Sequence, residues 1–103
     1  MENKYFNWGV IGTGGIAKAF TADIRQLTNH RVSAVLSRSI QTAESFSSHD
    51  PYCNGFVSMD VFLKESNVDA VYVATPNTFH CIQTIEALNA KIPVLCEKPF
   101  SMD

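Results

Sequence analysis

The stretch Tyr5-Phe6-Asn7-Trp8-Gly9-Val10-Ile11-Gly12-Thr13-Gly14-Gly15-Ile16-Ala17 decides the fold. Its first half, Tyr5 to Ile11, is aromatic and β-branched and stops at a glycine, as a buried strand does. Its second half is a G-x-G-x-x-A turn. Behind the turn Ile16, Phe20, Ile24 and Leu27 recur at spacings of four, four and three, which predicts a helix with these residues on one apolar face. Strand, glycine turn and helix in that order make the dinucleotide fingerprint, with alanine in the third place. Gly12 permits a tight turn out of the strand. Gly14 removes a Cβ where the backbone must approach a pyrophosphate, and Ala17 lets the helix pack closely on the strand. Thr13 is the only capping-type residue near the start of the helix, so an anion suits its first N–H groups and the positive end of its dipole.

Outward from this turn, apolar runs of strand length alternate with stretches of helical period. The strands are expected at Arg31 to Ser37, around Gly55-Phe56-Val57, at Val68 to Thr75 and at Pro93 to Cys96. Between them the spacing predicts three helices. One spans Ile40 to Ser48, with Ala43 and Phe46 on its apolar face. One spans Met59 to Glu65 behind the N-cap Ser58. The last spans Thr78 to Asn89, with Phe79, Ile82, Ile85 and Leu88 inward. The alternation predicts an α/β fold, a parallel-sheet Rossmann-type dinucleotide-binding domain of about five strands in the order 3-2-1-4-5. Nearly continuous apolar runs suit strands covered on both faces.

The chain has 103 residues, 46% of them hydrophobic and 17% charged, which bounds it to a single globular domain, residues 1–103. Its net charge of −2 and the lack of any basic run argue against a nucleic-acid partner. Cys53, Cys81 and Cys96 are odd in number and form no C-x-x-C pair, so they read as reduced thiols with no metal site. The first residues lack the pattern of a secretory leader, and no apolar run reaches bilayer length. The expectation is a cytoplasmic protein with no membrane partner.

Three strand ends carry the candidate chemistry. Dinucleotide folds place an acid roughly 20 residues past the glycines to bind the ribose 2′-hydroxyl. Here the corresponding stretch is Leu36-Ser37-Arg38-Ser39, with no acid. Ser37 and Arg38 donate hydrogen bonds and Arg38 adds positive charge, which favours NADP(H), with NAD(H) as the alternative; the plainer reading is a solvated surface arginine. Thr75-Pro76-Asn77-Thr78-Phe79-His80 follows the fourth strand, at the edge where ligands of open α/β sheets bind. His80, in the first helical turn, either faces the cofactor or bonds nearby backbone, and for acid–base chemistry the structural reading is the better one. Glu97-Lys98-Pro99 follows the fifth strand on the same edge, where a lysine meets substrate or an exposed ion pair forms.

The set Trp8 to Ala17, Val68 to Asn77 with His80, and Val94 to Pro99 resembles the glucose-fructose oxidoreductase / inositol dehydrogenase / MocA family, in order and spacing over essentially the whole chain. The stretch Val94 to Phe100 is also similar to that family's dihydrodiol dehydrogenases. The resemblance implies an NAD(P)-dependent oxidoreductase that passes a hydride between the cofactor and a sugar, polyol or diol. It implies a cofactor site built from Gly12, Thr13, Gly14, Gly15 and Ile16 at the pyrophosphate turn and Ser37 and Arg38 at the adenosine ribose. Thr75, Pro76, Asn77 and His80 would line the cleft and Glu97 would lie on the ribose side. Lys98 would be the substrate-side catalytic lysine, beside a Lys98–Pro99 bond that is often cis in the family. It also implies that the final part of the nucleotide domain and an α+β substrate domain lie beyond Asp103. Family members often carry a glycine after the fourth helix; here Asn89-Ala90-Lys91 stands there, and Asn89 can take the left-handed conformation, so the fold is not threatened.

Three functions compete. The first is the cofactor half of an NADP(H)-dependent dehydrogenase, inactive without its substrate domain. The second is a stand-alone or decayed nucleotide-binding module without turnover. The third, a methyltransferase, wants an acid where Ser37-Arg38 stands. An exposed sheet edge is expected to drive self-association.

Overall fold

The computed structural model describes residues 5–48, 52–74 and 86–96. In chain order the elements are β1 (Phe6–Ile11), α1 (Gly15–Arg25), β2 (His30–Leu36), α2 (Ile40–Ser47), β3 (Asn54–Phe56), α3 (Met59–Glu65), β4 (Ala70–Val73) and β5 (Val94–Cys96), with residues 86–89 helical ahead of β5. The strands form a five-stranded sheet in the order β3-β2-β1-β4-β5, with every neighbouring pair parallel. This is the expected α/β Rossmann-type architecture.

The alternation of side chains along the strands divides the core into two layers. Val10, Val32 and Val35 pack with Ala17 and Ile24 of α1 on one face, where Phe46 of α2 joins them. Ile11, Ala34, Leu36, Val71 and Val73 pack with Phe62 of α3 on the other. Val32 and Val35 share a face although they are three residues apart. The register explains this: Trp8 pairs with Val32 but Gly9 pairs with Ala34, so Ser33 is an extra residue and β2 bulges there. β4 is buried at all four positions, as the apolar run Ala70-Val71-Tyr72-Val73 implied.

Three details differ from the sequence expectations. The buried face of α1 is Ala17, Thr21 and Ile24, whereas Ile16 and Leu27 are 46% and 50% exposed. Ile16 lies in the first turn, beside the cleft described below, and Leu27 falls past the helix end at Arg25. Thr21 tolerates burial because its hydroxyl donates to the Ala17 carbonyl at 2.9 Å. Before β5, Ala87 is fully buried and Leu88 is exposed, so Leu88 is not on the inward face; Phe79, Ile82 and Ile85 lie outside the described residues. The left-handed residue after that helix is Lys91, with φ 65°, and not Asn89, which is still helical. Ile92 N–H donates to Ala87 O at 3.1 Å and Lys91 N–H to Leu88 O at 2.9 Å, the paired bonds of a Schellman cap with Lys91 in the position that favours glycine.

Candidate functional site

The polypeptide leaves β1 for α1 on one face of the sheet and reaches β4 from α3 on the other. The carboxyl ends of β1 and β4 therefore part, which is the switch point where open α/β sheets bind ligands. A cleft of about 780 Å³ opens there, floored by Ile11, Leu36 and Ala74 and rimmed by the glycine turn and the end of β2. Ile11, Val73 and Cys96 stand in register, so β1, β4 and β5 end level with one another.

Gly12 and Gly14, the two glycines of the G-x-G-x-x-A turn, stand in different backbone conformations. Gly12 has φ 111°, a conformation that L side chains rarely adopt, and its N–H donates to Leu36 O at 2.8 Å, which ties the turn to β2. Gly14 is the N-cap of α1 at φ −79° and ψ −165°, extended backbone open to most residues. A Cβ added at Gly14 or Gly15 meets nothing within 4 Å. Neither backbone conformation nor internal packing requires glycine at position 14.

The helix start points the same way. Ser39 caps α2 by accepting from Thr42 N–H, and Ser58 caps α3 by accepting from Val61 N–H. α1 has no side-chain cap and no acid in its first turn. Its first helical bond runs from Lys18 N–H to Gly14 O, so the N–H groups of Gly15, Ile16 and Ala17 precede the ladder. Free donors, a positive dipole end and room for close approach fit a dinucleotide pyrophosphate.

The second wall is a hydroxyl cluster. The Ser37 hydroxyl hydrogen-bonds the Thr42 hydroxyl, Ser39 N–H donates to Ser37 Oγ at 3.5 Å, and Thr42 N–H donates to Ser39 Oγ at 3.1 Å. Ser37 N–H donates to Phe56 O at 2.9 Å, which fixes the end of β2 beside β3. Arg38 is exposed and lines the same cleft. Among the described lining residues there is no carboxylate.

The cleft thus brings together Gly12, Thr13, Gly14, Gly15, Ile16, Ser37 and Arg38. Thr75, Pro76, Asn77, His80, Glu97, Lys98 and the Lys98–Pro99 bond lie outside the described residues. Ala74, next to Thr75 in sequence, lines the cleft and donates its N–H to Ile11 O at 2.9 Å. Seven lining residues were not among the sequence candidates: Ile11, Leu36, Ser39, Thr42, Val57, Met59 and Ala74. The N-cap spacing of Ser39 and Thr42 was a legible signal. Val57 and Met59 reach the cleft because β3 lies beside β2, as the expected strand order implies. No cluster of potential metal ligands occurs among the described residues, and none of the helices they form is long and apolar enough to cross a membrane.

Comparison with known proteins agrees with this geometry. The profile of an oxidoreductase family with a NAD-binding Rossmann fold, GFO_IDH_MocA, matches residues 6–103. A trans-1,2-dihydrobenzene-1,2-diol dehydrogenase of Danio rerio is 33% identical over 98 residues, covering 93% of this chain and 29% of the relative. The scyllo-inositol 2-dehydrogenase (NADP(+)) IolU of Bacillus subtilis is 32% identical over 94 residues, covering 91% and 29%. Among solved structures, scyllo-inositol dehydrogenase from Lactobacillus casei with bound NAD(H) and scyllo-inositol superposes with a TM-score of 0.84 at 26% identity, covering 97% of this chain and 30% of that one. The chain therefore spans less than a third of the length of the proteins it matches.

Proposed function

This chain belongs to the GFO_IDH_MocA oxidoreductase family, and on that premise we propose that it is the cofactor half of a dehydrogenase that binds NADP(H) in preference to NAD(H). The observation that carries the cofactor site is Gly14, a glycine that neither conformation nor packing demands, at the uncapped start of α1. NADP(H) is favoured by Arg38, by the hydroxyls of Ser37, Ser39 and Thr42, and by the lack of a carboxylate among the described lining residues. A carboxylate there would accept from a ribose hydroxyl and repel a 2′-phosphate; an arginine does the opposite. The relatives use both cofactors, one named for NADP(+) and one bound to NAD(H), so this chain's own residues make the choice.

The bound nicotinamide supplies or accepts a hydride. The substrate class is a sugar, polyol or diol carbon, as the names of the inositol and diol dehydrogenases suggest. Following the family resemblance, Thr75, Pro76, Asn77, His80 and Glu97 complete the cofactor cleft and Lys98 meets the substrate oxygen. Trp8, the only tryptophan, provides the signal for titrating the chain with NADPH and NADH. Gly14→Ala is the decisive variant. Stability should change by less than about 1 kcal/mol, because the backbone is unstrained and the space is open. The NADPH dissociation constant should rise by about tenfold or more, equivalent to at least 1.4 kcal/mol. A Gly14→Ala chain that binds NADPH as tightly as the parent would overturn the site.

A further inference from the structure

A second cleft, of about 360 Å³, lies between α1 and α2 on the outer side of the glycine turn. Lys18 and Arg25 stand on its α1 wall, seven residues and so nearly two full turns apart, with Thr21 between them. Ser45 stands on the α2 wall, one turn beyond Thr42, and Phe46 closes the base where it joins the core. Asp23 and Glu44, the only acids of the two helices, are not among its lining residues. In a chain of net charge −2, this groove gathers two cations and the Ser45 hydroxyl, with no carboxylate among its described lining residues. Thr13 and Thr42 line both this groove and the larger cleft, so the two are contiguous.

We propose that the α1–α2 groove is a second anion site that takes a phosphate monoester, with Lys18 as the principal cation and the Ser45 hydroxyl as a donor. A phosphate dianion matches this lining because it accepts from ammonium, guanidinium and hydroxyl groups at once. The phosphate has two sources. One is a separate phosphorylated molecule held beside the cofactor. The other is the cofactor's own 2′-phosphate reaching past Thr42, and only this second source rests on the dinucleotide reading above.

The experiment is a titration of the isotopically labelled chain with inorganic phosphate, at ionic strength held constant with chloride and followed by amide NMR. Saturable shifts are expected at Lys18, Thr21 and Ser45. Lys18→Gln, at an exposed position, should weaken phosphate binding by about threefold, the effect of losing one solvent-screened ion pair, and Lys18→Arg should restore it. Shifts confined to the glycine turn, shifts that chloride alone reproduces, or a Lys18→Gln chain that titrates like the parent would overturn the proposal. A parallel titration compares NADPH with NADH. Groove shifts that only NADPH produces assign the phosphate to the cofactor, and equal responses assign it to a separate molecule. If neither dinucleotide binds but phosphate still saturates the groove, the anion site stands and the cofactor reading falls.

Discussion

Arg38 and Lys91 are both exposed cations on loops, and their backbones and surroundings give them opposite meanings. Arg38 follows β2 at the cleft rim, beside the Ser37–Thr42 hydroxyl pair. If it faces a 2′-phosphate, Arg38→Ala should weaken NADPH binding by about tenfold, in the range of one charge-assisted hydrogen bond, and leave NADH nearly unchanged. Calorimetric isotherms for the two cofactors check this, and an equal loss for both would return Arg38 to a plain surface role. Lys91 holds φ 65° at the Schellman cap, where a Cβ is strained. Its side chain is exposed, so removing it sacrifices little packing. Lys91→Gly should therefore stabilise the chain by about 1 kcal/mol, and thermal denaturation should show a midpoint higher by about 4–8 °C for a domain near this size. No change in midpoint would mean that the cap is relaxed as it stands.

At the scale of elements, the sheet depends on how closely α3 approaches β1. A Cβ at Gly9 would lie 2.7 Å from the ring tip of Phe62 and 3.2 Å from a Val68 methyl. Phe62 is fully buried and in edge contact with the Phe56 ring, so it has no room to retreat. Gly9→Ala should cost about 1–3 kcal/mol by overpacking, read as a lower denaturant midpoint with an unchanged slope. A neutral Gly9→Ala would show that α3 can shift outward. The opposite face works through rings: Phe20 of α1 stacks on Tyr72 of β4 at 3.9 Å and meets the edge of Trp8 at 5.2 Å. This explains why Phe20 packs inward while Ile16 and Leu27 of the same periodic series do not. The stripe of large apolar residues overestimated the inward face, because Ala17 and Thr21 are small enough to bring α1 close to the strands.

At the scale of the molecule, β5 pairs with β4, and among the described residues no strand pairs with its other side. Leu95 on this strand is 47% exposed. An open edge carrying an exposed leucine is a template for pairing with another chain. The 103-residue polypeptide should therefore show concentration-dependent self-association by light scattering, and Leu95→Lys should reduce it. A parent chain that stays monomeric at high concentration would show that the edge is protected.

The sequence by itself determined the element types, the parallel order and the glycine turn. Each depends on local period and local backbone demand: strand runs, helical spacing, and a strained φ that only Gly12 meets easily. Ser58 as a cap and Ala43 as the buried face of α2 were legible for the same reason. Tertiary structure alone decided the rest. It moved the left-handed cap from Asn89 to Lys91, because helix length sets where the closing bonds fall. It placed Ser33 in a bulge, which required the register of a second strand. It brought Val57 and Met59 to the cleft beside residues far away in sequence, because which side chains line a cavity depends on how the segments beyond the strand ends pack. It also distinguished Gly12 from Gly14. Gly12 is needed by the chain's own backbone, while Gly14 stands in open space with no conformational need for glycine.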